Sequence, residues 1–189
     1  MKAPKLLIEY LSIGVPLMLI CIILLVSGKV SLSTYSFALD SAGKLYVGKE
    51  SKLEVYSNES LLMTIFPMTT KGYLFTIEYD DTILLSDAST VYIMDLTGIV
   101  LSQREDRFSE TFSTLNNSKK TFVSRNGDNY QKRSIWGRDE IIHVFGNDEI
   151  VIYRMPLLDY IVKILFWALL MSGFIIAPII LLQWKRMKN

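Results

Sequence analysis

The side chains able to do chemistry are few and scattered. The chain has one histidine, His143, and one cysteine, Cys21. A lone histidine excludes the multi-histidine zinc sites, and a lone cysteine excludes a cysteine-rich metal site and an internal disulfide framework. His143 stands in the strand-like run EIIHVF. A general base needs a nucleophile or a second titratable group within reach, and no G-x-S-x-G nucleophile elbow occurs. A structural strand histidine is the expectation, aligned with Glu54 and Tyr92 and facing away from Val55. Asp80, Asp81 and Asp87 could offer oxygens to calcium, but EF-hand spacing is missing and Asp-Asp before TILL is turn chemistry. Asp95-Leu-Thr-Gly98 and Asn126-Gly-Asp-Asn129 also read as hairpin turns. There is no P-loop and no G-x-G-x-x-G. Formal net charge is +1, so no electrostatic case for a nucleic-acid partner exists. Lys119-Lys120 and Lys132-Arg133 read as solvated surface. The expectation is a non-enzymatic protein with no catalytic residue, no metal and no cofactor.

Recognition chemistry has better candidates. Trp136 lies in SIWGRDE, a turn, beside Arg138. Exposed there, a tryptophan could anchor a partner or touch a membrane, although burial between repeats is the expected state. Tyr46 and Tyr92 join Trp136 and Arg138 as interaction candidates. A ligand site would draw on Tyr46, Tyr56, Tyr92, Tyr130 and Trp136. Asn58-Glu-Ser60 and Asn116-Asn-Ser118 fit the glycosylation sequon, which matters only in a eukaryotic secretory pathway.

The elements that position these residues come from the hydropathy pattern. Half of the 189 residues are apolar and mean hydropathy is +0.30. The excess is concentrated at the two ends. Leu6 to Val26 carries one charge, Glu9, and Ile164 to Trp184 carries none. At ~1.5 Å rise per residue each run reaches ~30 Å, the thickness of a bilayer core. The first run is longer than a signal-peptide core and lacks an A-x-A-like cleavage site, so an uncleaved anchor is expected. Lys2 and Lys5 precede the first run; Lys185, Arg186 and Lys188 follow the second. Basic flanks favour the cytoplasm, which puts both termini inside and the middle outside. Glu9 is expected to reach headgroups or a flanking lysine. Ala168, Ser172, Gly173 and Ala177 set small residues at helical spacing, which permits close packing of the helices. Pro16 and Pro178 can kink them.

Residues 29–157 carry 14 basic and 17 acidic side chains, a soluble-domain polarity. Short runs of Tyr, Val, Ile and Thr, punctuated by Asp, Asn, Ser and Gly, predict strands. The run from Phe37 aligns without gaps on the run from Phe75 at an offset of 38, matching Leu45 with Ile83, Val55 with Ile93 and Leu62 with Val100. A third copy follows. Its SRNGDNY (residues 124–130) resembles DSAGKLY (40–46), and its VFGNDEIVI (144–152) resembles VYSNESLLM (55–63). Each copy reads as a three- or four-stranded antiparallel meander. Ser102 to Lys120 interrupts the array and is expected to be a surface connection, with a short helix from Ser109 as the alternative.

The pattern Asp40, Gly43, Leu45, Tyr46, Val47, Gly48 resembles the D-x-x-G-x-L-Y-V-G of β-propeller blades of the quinoprotein-like or NHL-like class. The resemblance implies blade-like repeats and no particular activity. Propellers use about four to eight blades, whereas the chain holds about three. An open array, a small sandwich or barrel, or a ring completed by further chains are the remaining options. Open ends of such an array expose strand edges, which points to a protein partner or a homo-oligomer.

The expected fold class is therefore a membrane protein, with an all-β extracytoplasmic domain (antiparallel meander, partial-propeller or sandwich-like) between two transmembrane α-helices. The expected boundaries are a cytoplasmic 1–5, a span at 6–27, the β-domain at 28–159, a second span at 160–184 and a cytoplasmic 185–189. The expected function is a membrane-anchored interaction module or a small subunit of an envelope complex. Ligand sensing is the alternative, and an enzyme of unrecognised class the third.

Overall fold

Three four-stranded antiparallel sheets arise from the three sequence repeats, each an up-and-down meander. A computed structural model describes residues 10–67 and 72–188. Sheet one holds β1 (Phe37–Leu39), β2 (Leu45–Gly48), β3 (Leu53–Ser57) and β4 (Ser60–Ile65). Sheet two holds β5 (Leu74–Ile77), β6 (Ile83–Ser86), β7 (Thr90–Met94) and β8 (Val100–Glu105). Sheet three holds β9 (Thr121–Val123), β10 (Asn129–Ile135), β11 (Arg138–Phe145) and β12 (Asp148–Arg154). These sheets make up one compact unit, Ser33–Met155. The other unit joins Met1–Leu32 to Pro156–Asn189.

Sheet one lies between the other two, which explains why every residue of β2 is buried. Tyr46 points into a core shared with sheet two, among Val55, Phe75, Ile77, Ile83 and Leu85. Its neighbours Leu45 and Val47 point the other way, into a core with Ile141 and Tyr153 of sheet three. Burial on both faces removes the usual polar alternation of a strand. Phe122 of β9 packs against both cores.

The register confirms the offset of 38: Tyr46 pairs with Val55 as Leu84 pairs with Ile93. Both outer hairpins bulge at the equivalent place, after Val55 and after Ile93. The third copy corrects the expected alignment by one residue. Asn58-Glu59 turns the outer hairpin of sheet one and Gly146-Asn147 that of sheet three, so the offset there is 88, not 89. The backbone matches Gly146 to Asn58, both at positive φ, rather than asparagine to asparagine. A slip of one residue exchanges the two faces of a strand. His143, which pairs with Tyr130, therefore occupies the position of Val55 and not that of Glu54.

The interrupting segment is a second correction. Ser102–Glu105 completes β8, and Glu110–Ser118 forms helix α2; α1 is given below. Ser109 precedes the helix in left-handed backbone and does not cap it; its hydroxyl donates to the carbonyl of Ala88. Asp106 caps instead, accepting from the amides of Thr111 and Phe112 at 3.0 Å and from the Ser86 hydroxyl at 2.7 Å. Burial alone would raise its carboxyl pKa, but these donors outweigh it and hold the pKa below the usual value. Asp106→Ala is expected to cost about 2 kcal/mol, read as a lowered urea midpoint, from the lost cap and the lost acceptor of the buried Ser86 O–H, whose oxygen keeps the Ala88 amide.

In the other unit, a π-helical turn at Tyr10–Gly14 leads into α1 (Val15–Val26), and α3 runs over Leu157–Lys188. Cys21, Val30 and Val162 form their shared core. The stretch Leu157–Ile175 is long and apolar enough to cross a membrane, by length and composition. Ser12–Val26 is apolar but shorter. Leu6 to Glu9 of the expected first span lie outside the described residues, as do the basic residues Lys2 and Lys5. Tyr10 donates from its hydroxyl to the carbonyl of Leu169 at 3.2 Å. A Cβ on Gly173 would come within 2.9 Å of that hydroxyl, so the tip of Tyr10 would have to shift to admit one. The Ser172 hydroxyl is turned back onto the carbonyl of Leu169. Ala168 is exposed, and the Ala177 side chain lies outside the described residues.

Candidate functional site: the cavity where three hairpins meet

The first hairpin of each sheet uses one turn. Its opening residue donates its amide to the carbonyl four residues on, and the residue three on donates back. Asp40–Lys44, Glu78–Thr82 and Ser124–Asp128 all show it. The fourth residue of each turn has positive φ: Gly43, Asp81 and Gly127. Glycine is the natural occupant of that conformation. Asp81 is the exception, already visible in the repeat alignment, and its side chain does what a glycine could not.

The Asp81 carboxylate joins the three turns. It accepts from the Ser41 amide at 3.0 Å and the Ser41 hydroxyl at 2.6 Å, both in sheet one. Arg125 of sheet three donates to it at 2.8 Å. These donors, the Ser41 hydroxyl foremost, hold the Asp81 pKa below the usual carboxylate value despite some desolvation. The ion pair is largely exposed, so its own contribution is small; its value is geometric. Left-handed backbone costs an alanine about 1 kcal/mol more than a glycine. Asp81→Gly is therefore expected to be more stable than Asp81→Ala by about that amount in urea unfolding, although both lose the carboxylate.

Behind the turns lies a cavity of about 490 Å³. Its wall comes from the inner strands of all three sheets and from α2: Phe37, Phe75, Ile77, Leu115 and Phe122. Asp40, Glu78, Tyr79, Lys119, Arg125 and Asp128 supply its charged and polar lining. Tyr130 also lines it and stacks on His143 with centroids 4.6 Å apart. The Nε2 atom of His143 is buried, has no hydrogen bond and lies 3.7 Å from the Asp128 carboxylate. Burial and Asp128 raise the Tyr130 pKa. Burial, then Asp40, raises that of Tyr46, so both phenols stay protonated at neutral pH.

The sequence-predicted candidates do not converge. Tyr46 is buried in the core rather than presented at a surface. Tyr92 is half-buried on the same core. Arg138 donates to the carbonyl of Met155. Trp136 is 92% exposed, a correction to the expected burial, because it forms the tip of the β10–β11 turn with both Trp136 and Gly137 at positive φ. Tyr56 hydrogen-bonds Glu54. Only Tyr130 of the expected ligand set lines the cavity. Asp80 and Asp81 lie in one turn and Asp87 beyond the far end of β6. No group of three or more potential metal ligands occurs among the described residues.

No protein-family model matches the chain, and no curated protein matches it. Among solved structures it resembles a protein of unknown function from Bacteroides caccae, at 11% identity and a TM-score of 0.33. The likeness covers 67% of this chain and 62% of that one. The blade-like character of the repeats rests on their own strand pairing: three consecutive meanders of four antiparallel strands.

Proposed function

We propose that the chain is a membrane-anchored, non-enzymatic recognition module whose extracytoplasmic β unit receives a protein partner at the end where its three hairpin turns meet. The observation that carries this is the cavity walled by all three repeats. A surface built from three repeats and opened by polar turns offers a partner a shaped, charged seat, and loops on a rigid scaffold are where binding concentrates. The apolar Leu157–Ile175 helix supports the anchor, and the basic residues after Trp184 support a cytoplasmic C-terminus. In this reading both apolar ends span the membrane and the protein serves as a small subunit of an envelope complex.

A photo-crosslinking amino acid at Tyr79, 83% exposed beside the cavity, tests the reading in native membranes. Crosslinks to a defined polypeptide are expected from Tyr79 and not from Ile150, exposed on the outer strand β12. Equal crosslinking from both positions, or none from Tyr79, contradicts it. The cavity volume also falls in the ~300–1,000 Å³ range of small-molecule sites, which favours ligand sensing as the second reading. That reading expects a saturable thermal shift from a small molecule, lost in Phe122→Ala but not in Ile150→Ala.

A further inference from the structure

The opposite end of the β unit carries a different surface. Here the chain arrives at Ser33 and leaves at Met155. Tyr35 donates to the Gly48 carbonyl at 2.8 Å, and the Thr34 amide to the Asp139 carboxylate at 2.9 Å. Met155 donates its amide to the Asp139 carbonyl, and its own carbonyl accepts from Arg138. The β10–β11 turn is thus fastened to the residue that stands two before Leu157, where the apolar stretch Leu157–Ile175 begins.

Sheets two and three each place an exposed aromatic at this end. Trp136 is 92% exposed at the tip of the β10–β11 turn. Phe108, 94% exposed, precedes Ser109, which is bonded to Ala88 in the β6–β7 turn. Trp136 and Phe108 both hold positive φ, at 52° and 56°. Turns of the Trp136-Gly137 type prefer asparagine or glycine at the first position, and left-handed backbone disfavours bulky side chains. A large aromatic kept in strained backbone and fully exposed breaks two local rules together, the mark of a functional surface. Among the described non-glycine residues at positive φ the only aromatics are these two, and both lie at this end.

We propose that Phe108 and Trp136 seat this end of the β unit on the lipid headgroup interface, with Trp136 as the principal anchor. The occupant is a lipid surface because the neighbouring chain leads directly into the membrane-crossing stretch: at ~3.5 Å per residue, Met155 lies within ~7 Å of Leu157. Amphipathic aromatics favour that depth, where the ring meets acyl chains and the indole N–H meets water. Seating fixes the orientation of the unit and turns the three-hairpin end away from the bilayer. This inference rests on the membrane-anchored reading.

The test uses the full chain in lipid nanodiscs. The three tryptophans are Trp136, Trp167 and Trp184. W167F/W184F leaves Trp136 as the sole reporter, and W136F/W184F leaves Trp167. Trp136 is expected to lose more emission to lipids brominated near the glycerol than to lipids brominated at the chain ends. Trp167, seven residues into the expected span at 160–184 and so ~10 Å deep, is expected to show the reverse order. F108W in a chain without other tryptophans is expected to follow Trp136. Quenching of Trp167 with none of Trp136 overturns the seat while leaving the anchor intact. Quenching of neither overturns the anchor and the seat together. Shielding of Trp136 from iodide without quenching by brominated lipid assigns the surface to a protein and also overturns the proposal.

Discussion

Gly98→Ala is expected to destabilise the β unit by about 3 kcal/mol. Two independent penalties add. Gly98 closes the β7–β8 turn at φ +92°, a conformation that costs an L-residue about 1 kcal/mol or more. A Cβ placed there would also stand 2.3 Å from Cγ2 of Ile65, a β-branched residue buried at the end of β4. A branched side chain locked in the core cannot swing aside, and overpacking of this kind costs about 1–3 kcal/mol. Gly43→Ala supplies the control. Its φ is +76° but no atom lies within 4 Å of the added Cβ, so only the backbone penalty of about 1 kcal/mol is expected. Urea unfolding of the two variants in detergent separates strain from clash. Equal losses would show that sheets one and two do not meet at Ile65.

The second large effect concerns a buried ionic group. The Lys49 side chain is 2% exposed and its ammonium lies 2.7 Å from the Glu54 carboxylate. Lys52 binds the other carboxylate oxygen at 2.8 Å, and the Tyr56 hydroxyl donates at 2.5 Å. Desolvation works to raise the Glu54 pKa, but the bonds from Lys49, Lys52 and Tyr56 outweigh it and lower it. Glu54→Ala leaves the Lys49 ammonium buried without this carboxylate, a change that costs about 3–5 kcal/mol in comparable sites. Glu54→Leu combined with Lys49→Met is expected to recover most of the loss, because two apolar groups need no desolvation. The sign of the pH dependence follows. A carboxyl whose folded pKa is depressed contributes its full stability above the unfolded value, near 4.3, and loses it as pH falls through the lower folded value. Glu54→Gln should therefore flatten the acid limb of the stability curve below about pH 4.3 and leave its neutral region parallel to wild type. A cost under about 1 kcal/mol for Glu54→Ala would place the pair in solvent.

The repeat at offset 38 was legible because it preserves both core alternation and turn chemistry. Tyr46, Val55, Leu84 and Ile93 fall where the alignment puts them. The third repeat was legible in its first turn, where Gly127 matches Gly43. It was misread by one residue in its outer hairpin, where positive φ at Gly146 outranks the likeness of two asparagines. The second half of β8, Ser102–Glu105, was not legible because an outer strand with almost every residue exposed carries no apolar alternation. The helix after it was read only as an alternative, since its cap, Asp106, acts from four residues before Glu110 across two left-handed residues. Trp136 was expected inside because tryptophan is large and apolar. Its turn geometry, set by the pairing of Ile135 with Arg138, turns it outward. The cavity itself was not legible, because it depends on contacts among three hairpins, although the aspartate at the glycine position of the second repeat marked its hub.

The central claim is that the three hairpins converge, so that sheets two and three meet directly although sheet one lies between them. Spin labels at Asp80→Cys and Asn126→Cys, in a Cys21→Ser background, report this in the full chain in nanodiscs. Both positions are exposed, and their turns are joined through Arg125 and Asp81 at 2.8 Å. The account predicts a single, narrow, short distance with dipolar broadening of the continuous-wave spectrum. A linear stack with sheet one in the middle would separate the labelled sheets by about 20 Å, two intersheet spacings. An unbroadened spectrum with a distribution centred there or beyond would contradict it.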